Sequence, residues 1–368
     1  MRILLRADDG QSVAVEGSRL VEQGGEFDYE VDLGPGELRP GLINAHDHLH
    51  RNHFPRLGSP PYPNAYAWGE DLHSRCGQAI ARASVLPRRD ALLFGALKNL
   101  VAGVTTAVHH DPWQPDFGND FPLHVPHVRV AHSLRLEADL AARRLGDGAP
   151  RDAPLCIHLA EGTDAQSANE IDDADRLGLF EERLVPVHLV GADAEFERFP
   201  HTHVPFVWCP SSNLFLFGRS ASRQLVSSGR PVLLGSDSLL TGVGTLLDEL
   251  RVARALGYLP DCVLENSVGT TAATCLALPE PSLVESATAD LVFFTRPLFA
   301  AHAGDVALVL VAGRPKFGDR RFAKLFEMCD VPVEPLVVGG VEKLVVAPLA
   351  SVAERVFGLS PECRRILE

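Results

Sequence analysis

The sequence predicts an α/β protein with a TIM-like (β/α)8 barrel, trimmed between strands 2 and 5, and a small β-sandwich built from both chain ends. Three observations lead to this prediction. The 368 residues exceed a typical small domain and accommodate one large barrel plus an accessory unit. Strand-like apolar runs alternate with helical patterns through the middle of the chain, which indicates parallel βα units. Short strand-like segments occur near both ends, and those at the N-terminus are too few to bury a core alone.

These patterns divide the chain into four parts. Residues 1–38 form the N-terminal part of the β-sandwich, 39–284 the barrel, 285–318 the C-terminal part of the sandwich and 319–368 a C-terminal extension. The sandwich strands are predicted at Arg2–Arg6, Ser12–Val15, Tyr29–Leu33, Ala289–Phe294 and Val306–Gly313. The extension contains a strand-like stretch and a helix, at Pro332–Val346 and Ser351–Gly358, and no residue in it indicates chemistry.

The barrel prediction rests on seven apolar runs and on helices between them. The predicted strands are Leu42–Ala45, Val104–Val108, Val128–Ala131, Leu155–Ile157, Val185–Val187, Val204–Val207 and Val232–Leu234. Apolar residues at helical spacing predict helices over Arg89–Ala102, Leu246–Leu256 and Val263–Leu276. The segment between Val108 and Leu155 is short for two βα units, and Phe121–Val125 is at most a minimal second strand there. The barrel is therefore expected to be trimmed in this region.

Composition excludes several classes of partner. Hydrophobic residues make up 46% and charged residues 22% of the chain, as in ordinary globular proteins. A formal net charge of −14 disfavours nucleic acid and anionic membranes, which attract basic surfaces. The N-terminus lacks the apolar core of a signal peptide, and no run approaches the roughly 20 apolar residues of a membrane span. Seven scattered cysteines without a CxxC pair indicate reduced thiols in a cytoplasmic protein. Nucleic-acid and membrane partners are therefore not expected.

Two histidines at the end of the first barrel strand indicate a metal site. His46 and His48 are separated by one residue, so in a strand their side chains point to the same face. Two adjacent imidazoles suit one ion with Zn–N bonds of roughly 2.0–2.1 Å. A pair of histidines proves little alone, because exposed pairs are common.

Three further strands also end in residues suited to a metal or to proton transfer. His158 follows Leu155–Ile157 with Glu161 three residues later, His188 follows the next run, and Asp237 follows Val232–Leu234 after two residues. In a (β/α)8 barrel, the C-terminal ends of the strands form the catalytic face. Four such coincidences in series are hard to explain by core packing.

At this point the motifs resemble those of a known family. Pro40–His48 resembles the opening motif of the amidohydrolase superfamily, and His158–Glu161 resembles the HxxE motif of its deaminase and chlorohydrolase branch, which includes cytosine and guanine deaminases. Cys209–Leu214 and Gly235–Ser238 are similar to the strand-seven and strand-eight motifs of that branch. A closing helix from Val263 to Ala273 and a return to the sandwich at Ala289–Val292 complete the resemblance, which spans about residues 1–315.

The resemblance implies a role for each motif residue. One divalent metal, zinc in the first place and iron as the alternative, is expected on His46, His48, His158 and Asp237. Glu161 is expected to shuttle protons, His188 to orient the water or the leaving group, and Asp237 to take part in proton transfer. The carboxylated lysine that bridges two metals in other members has no counterpart, because Lys98 falls in a helix and no lysine lies between it and Lys316. One metal is therefore expected, and a homodimer is implied by the resemblance alone.

These features predict a metal-dependent hydrolase of a non-peptide carbon–nitrogen bond. Hydrolytic deamination of a small nitrogen heterocycle by metal-bound hydroxide is favoured. Hydrolysis of a cyclic amide, or removal of a halide, at the same site is the alternative. A hypothesis from another class is a non-catalytic relic that binds a metal or ligand. Zinc, iron and manganese all suit such donors.

Several residues keep a second interpretation. Glu161 precedes a helical pattern and is also consistent with a helix-start carboxylate. His188 is also consistent with a buried histidine bonded to a backbone carbonyl. The His109-His110-Asp111 segment follows a predicted strand and so lies on the catalytic face. It is interpreted as a group that contacts the ligands or as a polar loop, with part of the substrate pocket or a second weak metal site as the alternatives. The long proline-containing loop at residues 51–87 is expected to shape the pocket.

Overall fold

A computed structural model describes residues 1–118, 120–137, 140, 148–195 and 203–368, with the backbone alone described at 193–195. Its strands are β1 Arg2–Ala7, β2 Ser12–Glu16, β3 Arg19–Val21, β4 Tyr29–Gly34, β5 Glu37–Pro40, β6 Leu42–Asp47, β7 Val104–His109, β8 Arg129–Ser133, β9 Leu155–Leu159, β10 Leu184–His188, β11 Phe206–Trp208, β12 Val232–Leu234, β13 Leu291–Phe294, β14 Val306–Val311, β15 Arg314–Asp319, β16 Val333–Val338 and β17 Val341–Val346. The α-helices are α1 Ala65–Arg75, α2 Gly77–Ala83, α3 Arg88–Leu100, α4 Ala165–Arg176, α5 Pro210–Phe217, α6 Arg223–Val226, α7 Leu246–Leu256, α8 Asp261–Ser267, α9 Thr270–Leu276, α10 Ala323–Met328 and α11 Leu349–Leu359. Short 3-10 helices lie at Leu49–Arg51, Pro115–Phe117, Leu179–Glu181, Val190–Glu195, Leu298–Ala300, Ala303–Asp305, Arg320–Phe322 and Pro361–Leu367.

The centre of the molecule is a parallel sheet of five strands in the order β12-β11-β10-β9-β8. Strands β6 and β7 form a separate parallel pair. The two groups approach each other where the backbone N–H of Asp237 donates to the carbonyl of His46 at 3.1 Å. Each strand predicted for the barrel is a strand here, and the mixed α/β class with a parallel sheet is confirmed. Parallel strands place their C-terminal ends at one edge, where the candidate site lies.

Three expected elements differ from the structure. Residues 51–87, expected as a loop, contain helices α1 and α2. Phe121–Val125 is not a strand: its contact with β7 is one bridge, in which His124 exchanges backbone hydrogen bonds with Thr105 and Ala107 at 2.9 and 3.0 Å. The helix expected over Val263–Leu276 is divided into α8 and α9. The Val268 carbonyl at the break accepts a hydrogen bond from the Ile43 N–H of β6 at 2.8 Å, so it is not available to a continuous helix.

The chain ends form two antiparallel-rich sheets, with orders β3-β2-β1-β4 and β16-β17-β15-β14-β13-β5. Buried side chains from both sheets form one apolar cluster, so strands that are far apart in sequence share a core. Its members include Leu5, Val15, Phe293 and Leu308. The hairpin β16–β17 extends the larger sheet, since Phe317 of β15 pairs with Val345 of β17.

Helix α3 is the most deeply buried helix described near the site. Residues 91–100 are all buried, and Phe94 packs edge-to-face on Phe357 of α11 with ring centroids 5.8 Å apart. Lys98 is buried within this stretch, and a buried lysine requires a charged partner. Asp47 of β6 is that partner. In the described part of the chain, no helix has both the length and the apolar character needed to cross a bilayer.

Candidate metal centre and active site

Four side chains from three strand ends converge on one point. The Nε2 atoms of His46 and His48 lie 3.8 and 3.9 Å from the Asp237 Oδ1 atom, and His158 Nε2 lies 3.4 Å from His46 Nε2. All four side chains are buried. Strands β6 and β9 deliver the histidines, and the turn after β12 delivers Asp237. The structure therefore brings together the predicted ligand set.

The chemistry of these donors fits a divalent cation. Burial lowers the pKa of His46, His48 and His158 well below the usual histidine value, and neighbouring histidines lower it further, so the rings are neutral. Two ligands at roughly 2.0–2.1 Å from one tetrahedral ion stand about 3.3 Å apart, close to the separation of the His46 and His158 nitrogens. Neutral imidazoles facing a carboxylate are the donor set that zinc and iron accept.

Asp237 is fixed by hydrogen bonds that leave one oxygen facing the histidines. Its Oδ2 atom accepts from Ser212 Oγ at 2.7 Å and from Thr241 Oγ1 at 2.9 Å, and its Oδ1 atom accepts from the Ser238 N–H at 2.7 Å. Ser212 lies in the first turn of α5, which Pro210 begins because proline tolerates the first helical position. The strand-seven motif thus holds the strand-eight carboxylate.

The strand ends at the site have unusual backbone geometry. Ala160, His188 and Asp237 have φ values of 51°, 77° and 53°, in the left-handed region that costs energy for residues other than glycine. Each lies where a parallel strand turns sharply at the catalytic edge, and this turn directs the adjacent side chain toward the cluster.

Asp111 orients His48 and was not assigned a role from the sequence. Its Oδ2 atom lies 2.9 Å from His48 Nδ1, so the carboxylate accepts the Nδ1 proton and the Nε2 lone pair is left facing the cluster. His110 lies on the other side, with its ring stacked on His158 at a centroid distance of 4.0 Å and its Nε2 atom 3.1 Å from the Ala131 carbonyl. The feature of the sequence that points to both residues is the His109-His110-Asp111 segment at the end of a predicted strand.

Lys98 lies beneath the site. From the sequence it is excluded as a lysine that bridges two metals, and no other role is predicted for it. Its Nζ atom lies 3.2 Å from Asp47 Oδ2 and donates to the Asp237 carbonyl. Asn52 and Asn99 also donate to the Asp47 carboxylate, at 2.9 and 2.8 Å. Burial raises the pKa of Asp47, and Lys98 with the two amides opposes that effect. This polar network joins β6, α3 and the turn after β12 directly under the four converging side chains.

Glu161 and His188 lie side by side at the cluster. Glu161 Oε1 is 3.5 Å from His188 Nε2, and the Glu161 side chain is 14% exposed, toward the cavity. Burial raises the pKa of Glu161 well above the usual carboxylic acid range, and Asp237 and Glu170 add to this effect. The helix-start alternative does not describe Glu161, because α4 begins at Ala165 and its N-cap is Asp164, which accepts from the Ser167 N–H at 2.9 Å.

The tautomer of His188 follows from its partner. The Asn213 amide nitrogen lies 2.9 Å from His188 Nδ1, and an amide nitrogen only donates, so the imidazole proton is on Nε2. Nε2 faces Glu161, not a backbone carbonyl, so the carbonyl-bonded alternative does not apply. Burial lowers the pKa of His188 to about 4, which makes it a neutral donor.

A cavity of about 700 Å³ opens from this centre. Its lining includes the loop after β6, helices α1 and α2, and the start of α3, with Phe54, Tyr66, Trp68, Leu72 and His132 among its side chains. His50, His53 and His73 of the long loop and α1 also line it. The cavity encloses enough space for a substrate larger than a single heterocycle.

Solved structures with similar folds are hydrolases. An adenosine deaminase from Xanthomonas campestris with bound zinc has a TM-score of 0.69 and 17% identity, covering 99% of this chain and 98% of its own. An atrazine chlorohydrolase from Arthrobacter aurescens in complex with zinc has a TM-score of 0.66 and 17% identity, covering 97% and 99%. An N-isopropylammelide isopropylaminohydrolase from Burkholderia multivorans has a TM-score of 0.60 and 18% identity, covering 86% and 98%.

The chain has the fold of these three enzymes. The motif resemblance is thereby confirmed at the level of fold, over nearly the whole chain and not only residues 1–315. No protein-family model matches the sequence, and no curated protein sequence matches it. At this level of sequence identity the likeness extends to the architecture alone, and the chemistry depends on the residues of the site.

Proposed function

We propose that this protein is a mononuclear metal-dependent hydrolase of a carbon–nitrogen bond, and that it deaminates a nitrogen heterocycle. The observation that carries the proposal is the convergence of His46, His48, His158 and Asp237 on one buried point beside Glu161. Three neutral imidazoles and one carboxylate, next to a second carboxylate of raised pKa, provide both a cation site and a proton carrier.

The fold places this chemistry at one end of a barrel. We infer that β6–β12 and the bridge at His124 close into a (β/α)8 barrel trimmed between strands 2 and 5, with domain limits near residues 39 and 284. The two terminal sheets form a β-sandwich around their shared apolar cluster, from residues 1–38 and 285–318, and residues 319–368 are a C-terminal extension of it. Hydrogen bonding between Asp237 and His46 supports closure at the β6–β12 junction.

The residues of the site divide the work of hydrolysis. Three imidazoles and the Asp237 carboxylate would hold one zinc or iron ion, which supplies a Lewis acid and an acidified water at neutral pH. Glu161 accepts a proton from the attacking water and returns it to the departing nitrogen, and its raised pKa favours keeping that proton between the two steps. His188 donates its Nε2 proton to the substrate and thereby orients the reacting carbon. Asp237 assists the first proton transfer.

The leaving group distinguishes the proposal from its alternative. Among the neighbours, one is named an adenosine deaminase, one an isopropylaminohydrolase and one a chlorohydrolase, so the same architecture accommodates both nitrogen and halide leaving groups. Glu161 favours nitrogen, because an amine departs only after protonation whereas chloride departs without it. Ammonia, amine and chloride release from matched amino- and chloro-substituted heterocycles separates the two, and release of chloride alone would contradict deamination.

Metal content is the direct test of the centre. Protein purified without added metal or chelator is expected to contain about one equivalent of zinc or iron by elemental analysis, since one set of four donors converges. Asp237→Ala removes the only anionic donor of the set and is expected to reduce the content to near zero. Ser238→Ala, which keeps its backbone N–H donor, is the matched control and is expected to retain the metal. Wild-type protein that takes up no metal on reconstitution would contradict the proposal and favour the ligand-binding relic.

Asp111→Asn is expected to weaken metal binding by roughly 10–100-fold, the usual effect of losing a carboxylate that orients a ligating histidine. The amide cannot impose the Nδ1–H tautomer on His48 as a carboxylate does. Competition with a chromophoric chelator measures the affinity, and Asp116→Asn, in the same loop but paired with Arg89 at 2.7 Å, serves as the control. Equal affinities of D111N and wild-type protein would show that His48 is oriented by other contacts.

The remaining proposals concern the surroundings of the enzyme. Its substrate is a small molecule, and a cytoplasmic location is proposed because all seven cysteines are free. A homodimer stays a prediction from the family resemblance.

A further inference from the structure

Two arginines line the cavity. Arg51 follows the metal-site strand within the 3-10 helix Leu49–Arg51, and Arg88 is the first residue of α3. Partial burial lowers the pKa of the Arg88 guanidinium, Asp111 raises it and Arg51 lowers it, so all three charges lie within electrostatic range. Arg88 is exposed and Arg51 is half-buried, so both guanidinium groups are open to a molecule that enters the cavity.

The described residues neutralise this pair only in part. Arg51 Nη2 lies 3.8 Å from Asp111 Oδ1, a long ion pair, and its Nε atom lies 3.4 Å from His50 Nε2. The same Asp111 carboxylate is engaged at 2.9 Å by His48. Within the described ranges, the Arg88 guanidinium makes no hydrogen bond and no ion pair. By contrast, the neighbouring Arg89 is paired with Asp116 on the outer surface at 2.7 Å.

Carboxylates line the same cavity. They belong to Glu161, Glu170 and Asp237, and Glu170 Oε2 accepts from the Ala160 N–H at 2.8 Å. Apolar side chains also line it, including Leu72, Ile80 and Leu86. The lining thus combines carboxylates at the reacting centre with apolar side chains and two guanidinium groups, which is complementary to a molecule that carries both an amino group and an anion.

We propose that Arg51 and Arg88 form an anion subsite that binds a carboxylate or phosphate group of the substrate. The inference rests on the proposed function, because it treats the cavity as the substrate pocket of the deaminase. The substrate class is then an amino-substituted heterocycle that carries an oxyanion, held by charge-assisted hydrogen bonds to planar guanidinium groups. In a chain of net charge −14, this pair also offsets the repulsion that an anionic substrate meets.

A cation at the same place is disfavoured by the same charges. His50, His109 and Asp111 approach within 4.8 Å of one another and have the residue types of a second metal site. A divalent ion there would lie beside Arg51 and within range of Arg88, while its one carboxylate is already hydrogen-bonded to His48. The electrostatics therefore favour an anion.

Calorimetric titration of the metal-loaded protein with benzoate, phenyl phosphate and benzamide tests the subsite without requiring turnover. We expect one of the two anions to bind at least 10-fold more tightly than neutral benzamide, and its identity assigns the carboxylate or the phosphoryl group. Arg88→Gln is expected to weaken that anion at least 10-fold, Arg88→Lys less, and the control Arg89→Gln by less than 2-fold. Metal content and unfolding temperature are measured on each variant to confirm the fold.

Two outcomes would overturn the subsite. Equal binding of benzamide and both anions would show that charge is not recognised. An anion that binds R88Q as tightly as wild-type protein would be bound to the metal or elsewhere. Failure of the proposed function has a different signature, namely no bound metal or no release of ammonia, and leaves the effect of R88Q on anion binding measurable.

Discussion

Glu161→Gln is expected to lower kcat for deamination by roughly 10²–10⁴-fold, the usual contribution of a positioned general acid–base group. Glutamine keeps the shape of the side chain and its contact near His188 Nε2, but it cannot accept the proton of the attacking water or deliver one to the leaving nitrogen. Ammonia release from the substrate identified among aminated heterocycles measures the effect. Metal content is expected to be unchanged, because Glu161 is not among the four side chains that converge.

The matched control for this variant is Glu249→Gln. Glu249 is another buried carboxylic acid near the site, and burial raises its pKa to about 8, so at neutral pH it is largely protonated and glutamine resembles it. Its Oε1 atom accepts from the Ser211 N–H at 2.8 Å, and the amide oxygen of glutamine can do the same. We expect E249Q to keep turnover within a few-fold of wild type. Near-normal turnover in E161Q would refute the proton-carrier role while leaving the metal site intact.

Lys98→Met is expected to destabilise the protein by about 3–5 kcal/mol, the cost of leaving one partner of a buried ion pair uncompensated. The substitution removes the Nζ donor from the Asp47 carboxylate and from the Asp237 carbonyl, while methionine fills a similar volume within α3. Urea denaturation of metal-depleted wild-type and variant proteins measures the free energy of unfolding without the added contribution of bound metal.

Two further variants separate charge from packing at this position. Asp47→Asn combined with K98M removes both charges and is expected to recover a large part of the lost stability. Lys324→Met removes an exposed lysine that pairs with Glu327 at 3.1 Å and is expected to change stability by at most about 1 kcal/mol. A double variant as unstable as K98M alone would show that the Lys98 contact with the Asp237 carbonyl, and not the Asp47 charge, dominates.

The four proposed ligands could be predicted from the sequence because their signal is local. His46 and His48 share a strand face, and His158 and Asp237 follow short apolar runs that had to be parallel strands of one sheet. Once the strands are parallel, their C-terminal ends meet at one edge, so the residues there must approach each other. Glu161, the proposed proton carrier, could be predicted for the same reason, since it lies three residues from a strand-end histidine.

Residues that act through another side chain could not be predicted from the sequence in this way. Asp111 and His110 were singled out only as a polar group at a strand end, since which imidazole nitrogen each contacts depends on the packing of β7 against β6. Asn213 fixes the proton of His188 from a helix in a different βα unit. The burial of Lys98 was not apparent either, because a lysine in an amphipathic helix is ordinarily placed on the exposed side.

By itself, the sequence determined the α/β class, the order of the parallel strands along the chain and the identities of the strand-end donors, because periodicity and strand-end position are local properties of a chain. Only the tertiary structure decided the tautomers of His48 and His188, the polar network around Lys98 and the presence of two arginines and three carboxylates in the lining of one cavity. Those features depend on distances between segments that are remote in sequence, and such distances are set by how helices and loops pack on the sheet.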